Sequence, residues 1–308
     1  MQIEVDKSSC SIAESVSRIL GNSIIGCGEG RCGSCSGHVI SGDHEVIGDE
    51  ACLNQDGSWN LCRLRALSNC VVEIVPPSPR VLGVCKVLQR TFVGKNLIKV
   101  DFKFPPHQQF DAKPANFIKL RIRGSCPRSY SVFDYCEATG CFSLLLGDVD
   151  GGLYSDFFFR NFVSGQIFEY EGFFSGPISA LFDRNQELEI PVSRIIFMAN
   201  GSGLAPFMSV VSERADDLPE VILNWSQRDV CDNFFNNLST AFSLVEVFNR
   251  HENECVSKLS SVTEQLEKYV AEDILLVVCG SSGFCEDVKK AAITLEIPKS
   301  RIYEELFY

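Results

Sequence analysis

The chain has 308 residues, 45 % hydrophobic and 22 % charged, the balance of a folded globular protein with room for two or three domains. No apolar run reaches the roughly 18 residues of a membrane helix. The opening Met1-Gln2-Ile3-Glu4-Val5-Asp6 lacks the basic and apolar regions of a secretory signal, so a soluble cytoplasmic protein is expected. The net charge of −12 has the wrong sign for a nucleic-acid surface, so no nucleic-acid partner is expected, and no membrane partner either.

The charge is uneven: −5 over residues 1–75, +3 over 76–185 and −10 over 186–308. The basic middle segment suits an anionic ligand, although chance scatter of surface charge explains it equally well. Fifteen cysteines in a cytoplasmic chain do not read as a disulfide framework. Cys85, Cys126, Cys136, Cys141, Cys231 and Cys255, scattered singly, are expected as small buried hydrophobes.

In chain order, Ile3 and Val5 alternate, and Ile12, Val16, Ile19 and Leu20 fall on one face of a helix over 12–20. After a cysteine-rich loop, strands are expected at 37–42 and 71–75. Pro76-Pro77-Ser78-Pro79 reads as a linker. Residues 80–185 contain strand patterns at 84–88, 97–102, 117–122 and 142–146, evenly spaced and broken by Gly and Pro, which predicts an antiparallel β-barrel with one helix within 154–161. Over 186–308, apolar strands at 194–198, 220–224 and 274–280 alternate with helices from Pro206 and around 284–294, the rhythm of a parallel α/β sheet. Three domains follow, at 1–76, 80–185 and 186–308.

Cys27, Cys32 and Cys35 stand in a C-x4-C-x2-C loop with Gly28, Gly30 and Gly33 between them. This is the plant-type spacing for a [2Fe–2S] cluster. The glycines let the backbone approach and aim N–H groups at the sulfurs. A structural zinc site is the alternative, but zinc takes paired Cys or His elements, and the fourth cysteine here has no spaced partner. For that fourth ligand Cys62 competes with Cys52 and Cys70, although Cys70, next to an alternating strand, is more simply a structural residue.

Four weaker motifs lie downstream. Arg128-Ser129-Tyr130-Ser131 stands between two strand patterns and reads equally as an ordinary alternating strand. Gly151-Gly152-Leu153-Tyr154-Ser155 opens a helix, where backbone amides favour an anion. Gly201-Ser202-Gly203-Leu204-Ala205-Pro206 follows a buried strand, with glycines for a tight turn under a pyrophosphate. Cys279-Gly280 ends a buried strand at the side of the sheet where ligands bind, or else Cys279 is a core residue.

In this order, and over nearly the whole length, these motifs resemble the ferredoxin–NADP reductase superfamily. They are most similar to its oxygenase-type reductases: an N-terminal β-grasp ferredoxin domain, a FAD barrel and an NAD(P) domain. The resemblance implies Cys27, Cys32, Cys35 and Cys62 as cluster ligands, Arg128 on the flavin phosphate, Ser129 and Tyr130 against the flavin, and Ser131 near its reactive nitrogen. It places Gly151, Gly152 and Ser155 at the pyrophosphate, and Gly201, Ser202, Gly203 and Pro206 at the nicotinamide nucleotide. Cys279 and Gly280 fall beside the nicotinamide, and Glu305-Leu306-Phe307 matches the family's C-terminal ending, with Phe307-Tyr308 over the flavin face. Ser131 and Cys279 are the implied catalytic pair. Arg228 and Arg250 are the residues that would meet the extra phosphate of NADPH, with NADH the expected donor.

There are departures. Ala115-Asn116 stands where the family has Gly-Gln, and Ser281-Ser282 where it has Pro-Pro. The implied activity is electron transfer from a nicotinamide through FAD and the cluster to an acceptor redox protein, such as an oxygenase component. A deoxysugar dehydrase as acceptor, and a flavin or cluster redox sensor, are the alternatives. A monomer is expected.

Overall fold

The computed structural model describes residues 1–20, 24, 30, 35–47, 53, 57–74, 81–105, 112–122, 127–183, 192–214, 216–227, 231–248, 258–270 and 273–306. The Pro76–Pro79 linker, Cys126 and Cys255 lie outside them. Contacts divide the chain into two compact units: Met1–Arg80 with Phe174–Gly176, and Val81–Phe173 with Pro177–Tyr308.

The first unit is a small antiparallel sheet with one helix. Its strands are β1 (Gln2–Val5), β2 (Ser36–Ser41), β3 (His44–Val46), β4 (Trp59–Asn60), β5 (Leu64–Ala66) and β6 (Cys70–Ile74). The main sheet has the order β1-β6-β2-β4, and β3 pairs separately with β5. Helix α1 (Ile12–Leu20) starts at a reciprocal cap: Ser11 N–H donates to Glu14 Oε2 at 2.8 Å and Glu14 N–H to Ser11 Oγ at 3.2 Å. Ile12, Ala13 and Val16 are buried and Leu20 packs on the core, but Ile19 is 57 % exposed. By angle Ile19 falls between the buried Ser15 and Ile12, so its exposure comes from its place in the last turn of α1 and not from its face.

The second unit begins with a closed barrel in the order β10-β11-β8-β7-β12-β9. These strands are β7 (Val81–Gly94), β8 (Leu97–Lys103), β9 (Phe117–Arg121), β10 (Arg128–Cys136), β11 (Cys141–Gly147) and β12 (Ile167–Phe174). Aromatic rings fill the interior: Phe142 stacks on Phe102 at 5.1 Å and on Phe104 at 4.5 Å. The expected helix exists as α2 (Leu153–Ser155), which widens into a π-type turn over Asp156–Arg160. That turn drops Phe158 against Phe168, with ring centres 5.3 Å apart. Its last carbonyls, on Phe158 and Phe159, accept hydrogen bonds from Arg90 Nη1.

Beyond the short helix α3 (Pro177–Leu181) comes a five-stranded parallel sheet, order β15-β14-β13-β16-β17. Its strands are β13 (Arg194–Asn200), β14 (Glu220–Ser226), β15 (Leu244–Phe248), β16 (Ile274–Gly280) and β17 (Ile302–Leu306). They alternate with α4 (Ala205–Arg214), α5 (Asp232–Ala241), α6 (Lys258–Glu267) and α7 (Ser282–Thr294). Both faces are buried, which is why the strands read as continuous apolar runs. Phe197, Trp225 and Val277 face one cluster, and Met198, Ile222 and Val278 the other. The first cluster also takes in Val93, Leu97, Phe133 and Leu145 from the barrel, so barrel and sheet share one core.

Cys85 is buried as expected, but Cys136 and Cys231 are exposed and Cys141 is half-buried. Cys136 and Cys141 pair across the mouth of the β10–β11 hairpin, alternating with Phe142, which takes the inward position. Cys231 sits in the turn before α5, tied by its N–H to Val93 O at 2.9 Å.

Phe142 is 1 % exposed and touches two stacked rings, so Phe142→Ala is expected to lower unfolding stability by about 3–5 kcal/mol, read from chemical denaturation.

Candidate functional site

In the second unit, the start of β10, the turn after β11, and the carboxyl ends of β13 and β16 converge on one cleft of about 640 Å³. Arg128, Ser129, Tyr130, Ser131, Gly152, Ser155, Gly201, Ser202 and Gly280 all line it. The carboxyl edge of a parallel sheet is the usual ligand side. Gly151, Gly203, Pro206 and Cys279 are not on the cleft wall among the described residues. Arg228 and Phe307, with Arg250 and Tyr308, lie outside the described residues.

The local reasons can be named. Ser155 Oγ accepts Val149 N–H at 2.8 Å and donates to Gly147 O at 3.4 Å, closing the turn between β11 and α2. Tyr154 OH accepts Ile122 N–H at 3.2 Å and donates to Leu120 O at 2.9 Å, which fixes α2 to β9. The Tyr130 ring lies 6.1 Å from that of Tyr154. Burial, with Tyr154 adding, pushes the Tyr130 phenol well up, so it stays neutral at ordinary pH. Arg128 is exposed on the wall and has no carboxylate partner among the described residues.

Gly201 adopts φ +55°, a left-handed turn that suits glycine. Trp225 Nε1 donates to its carbonyl at 2.9 Å. Gly203 acts behind the wall: a Cβ there would overlap the Cys279 carbonyl, so only glycine lets the loop rest on the end of β16. Cys279 is fully buried beneath Gly280. Burial, then the nearby Glu305 charge, raises its thiol far above the ordinary range and keeps it protonated. Glu305 is its register partner on β17, and Ser131 Oγ donates to Glu305 Oε1 at 3.4 Å. The catalytic pair implied by the sequence therefore meets around one buried carboxylate.

The sequence reading did not assign Asn200, Ser281, Val149 or Leu153 to the site, yet all four line the cleft. Asn200 precedes Gly201 and donates to Ser226 O at 3.3 Å, while Ser281 Oγ reaches its Oδ1 at 3.5 Å. Their position beside the two glycine turns was the available signal.

In the first unit, Cys27, Cys32 and Cys52 lie outside the described residues, but Cys35 and Cys62 are placed. Both are buried, and Cys62 N–H points at Cys35 Sγ at 3.4 Å. Cys62 Sγ accepts Gly30 N–H at 3.1 Å. Gly30 has φ +75°, and Asn60 Nδ2 holds its carbonyl at 2.6 Å. Two sulfurs thus sit together as acceptors of backbone amides, the environment that suits thiolate ligands. Cys70 is the opposite case. Its Sγ donates to Asp43 O at 3.3 Å and Ser68 O at 3.5 Å, and burial, with Asp43 adding, raises its thiol.

No family model matches the chain. Over 91 % of its length it is 24 % identical to the 2-halobenzoate 1,2-dioxygenase electron transfer component of Burkholderia cepacia, of which it spans 87 %. It is also 24 % identical to the CDP-6-deoxy-L-threo-D-glycero-4-hexulose-3-dehydrase reductase of Yersinia pseudotuberculosis, covering 91 % of this chain and 88 % of that one. Among solved structures, an Amycolatopsis cytochrome P450 reductase, GcoB, superposes with a TM-score of 0.66 at 19 % identity, covering 98 % of this chain and 96 % of that one. The ferredoxin reductase in carbazole 1,9a-dioxygenase gives 0.66 at 14 % identity, covering 100 % and 99 %. Over nearly its whole length, the chain shares the fold of these reductases.

The lining of the cleft suits a dinucleotide. Gly152, Gly201 and Gly280 leave backbone bare for close approach, and Arg128 supplies a cation without a carboxylate partner among the described residues. Val149 and Leu153, 62 % and 55 % exposed, are apolar side chains at the rim. A dinucleotide needs this mixture of bare backbone, cation and apolar wall.

Gly203→Ala is expected to force the nucleotide loop off the end of β16, at a cost of about 1–3 kcal/mol. Thermal unfolding checks the stability loss, and titration with NADH is expected to show weakened binding.

Proposed function

We propose that this chain is an NAD(P)H-dependent reductase that passes electrons through FAD and a [2Fe–2S] cluster to the oxygenase component of a multicomponent mono- or dioxygenase. The supporting observation is the single cleft that joins the Arg128–Ser131 strand, the Gly152–Ser155 turn and the carboxyl ends of β13 and β16. In this reading the chain is a soluble cytoplasmic monomer with a β-grasp ferredoxin domain at 1–76, a flavin domain at 80–185 and a nucleotide domain at 186–308.

When bound, the nicotinamide supplies electrons in pairs and the flavin and cluster pass them on singly. The chain's own residues bind, orient and hold protons. Arg128 neutralises phosphate, and Gly151, Gly152 and Ser155 shape the turn around the pyrophosphate. Ser129 and the neutral Tyr130 pack against the isoalloxazine. Gly201, Ser202, Gly203 and Pro206 would build the nicotinamide nucleotide's turn; Arg228 and Phe307, outside the described residues, are the proposed contacts to an NADPH phosphate and to the flavin. Gly280 lets a ring lie against the end of β16. Ser131 lines the reacting side, held by Glu305, and the protonated Cys279 lies buried behind it, beneath Gly280. Cys27, Cys32, Cys35 and Cys62 hold the cluster, with the Gly30 amide directed at Cys62. NADH is the proposed donor.

A second reading keeps the chemistry and changes the acceptor to a CDP-hexulose dehydrase. The Yersinia relatives favour it, since one of them matches this chain at the same 24 % identity as the dioxygenase component.

Absorption spectra of the purified protein, before and after anaerobic NADH or NADPH, test the core of the proposal. Flavin and cluster bands that both bleach with NADH are expected, and bound flavin that neither nucleotide reduces would return the protein to the sensor class. Cys62→Ser is expected to lose iron while retaining flavin, and Cys70→Ser to retain both, checked by iron and flavin analysis.

A further inference from the structure

Asn116 sits at the head of β9, 3 % exposed, and every part of it is engaged. Its Oδ1 accepts Lys113 N–H at 2.7 Å, and its carbonyl accepts Val132 N–H at 2.8 Å. Its Nδ2 donates to Ser179 Oγ at 2.9 Å. Ser179, 1 % exposed, lies on α3 next to Ile178, whose N–H donates to Glu305 Oε2 at 3.4 Å. The other carboxylate oxygen of Glu305 accepts from Ser131 Oγ, and Ser131 lies opposite Phe117, the residue after Asn116, in the β9–β10 register.

These contacts close into a ring. From Asn116 it crosses the β9–β10 ladder to Ser131, passes through the Glu305 carboxylate to Ile178, and returns along α3 through Ser179 to Asn116. The ring spans barrel, short helix and the last strand of the parallel sheet. Helix α3 has five residues, too few to hold its own place in water, so its position depends on what grips it. Ile178 grips it by burial and Ser179 by the bond to Asn116. The backbone beside Asn116 is itself pinned: Ala115, at φ +56°, donates its N–H to Ser209 Oγ on α4 at 3.1 Å.

We infer that Asn116 is a positioning residue for the reacting side of the cleft, acting through Ser179 and α3 to set Glu305 against Ser131 and Cys279. It touches no cleft atom itself, since it is not among the lining residues. The bond its Nδ2 makes to Ser179 reaches the cleft through α3 and Glu305. This rests on the reductase reading above, but the ring belongs to the chain and can be tested without turnover.

The test is a double-mutant cycle of Asn116→Ala and Glu305→Gln in the full chain, with Ser179→Ala removing the same bond from its other end. The first readout is amide hydrogen exchange of the peptide carrying Ile178 in the purified protein. Asn116→Ala and Ser179→Ala are each expected to speed it about tenfold. The second is the rate of flavin reduction by NADH at matched flavin content. A loss of about tenfold is expected from either substitution in the native background, with KM little changed, and less than twofold in the Glu305→Gln background. Independent, multiplying losses in the cycle, or unchanged Ile178 exchange, would overturn the inference. If Asn116→Ala does not fold, Ser179→Ala decides the question. Native protein that NADH does not reduce would defeat the reductase reading, while the exchange result would still decide the ring.

Discussion

The molecule's second unit depends on one constraint: the parallel sheet is apolar on both sides and must be dried on both. One side is covered by α6 and α7. The other is completed only with side chains that the barrel contributes, among them Phe133 and Leu145 against the cluster of Phe197, Phe207 and Trp225. Burying a side chain such as Phe133 or Leu145 is worth about 2 kcal/mol, so the barrel cannot leave without exposing a large apolar surface. The cleft follows from this packing. Phe133 and Leu145 lie on β10 and β11, so seating them brings Ser131 and Gly147 to the carboxyl edge of the sheet.

Electrostatics sharpen what packing places. Glu305 is 8 % exposed, and a buried carboxylate persists only where donors meet it. Ser131 and the Ile178 amide supply them from two different elements. Burial raises the Cys279 thiol, and the same carboxylate adds to it from the end of β17.

Much of this was legible in the sequence. Strand and helix positions followed from periodicity, and the glycines at 152, 201 and 280 stood out by their place at strand ends and helix starts. What was not legible depends on tertiary partners. Cys70 already read as the more structural thiol from the alternating strand beside it, but only the fold shows the contrast: the Cys62 sulfur accepts a backbone amide and the Cys70 sulfur donates to carbonyls. Asn116 lies 63 residues from the hydroxyl it grips, and no local pattern marks such a pairing. Ile19, Cys136 and Cys231 were misread for a related reason. Periodicity assigns a face, but the extent of the neighbouring layer decides whether that face is covered.

Burial also sorts the cysteines by reactivity, since the thiolate is the nucleophile. Cys136 stands in the open, and hydrogen bonding from Thr139 lowers its thiol, whereas Cys279 is walled in and held protonated. Among the described thiols, exposure thus sets the order in which solvent-borne electrophiles and peroxides can meet them. The sulfur at the turn of the β10–β11 hairpin is open to them, and the one beneath Gly280 is shielded.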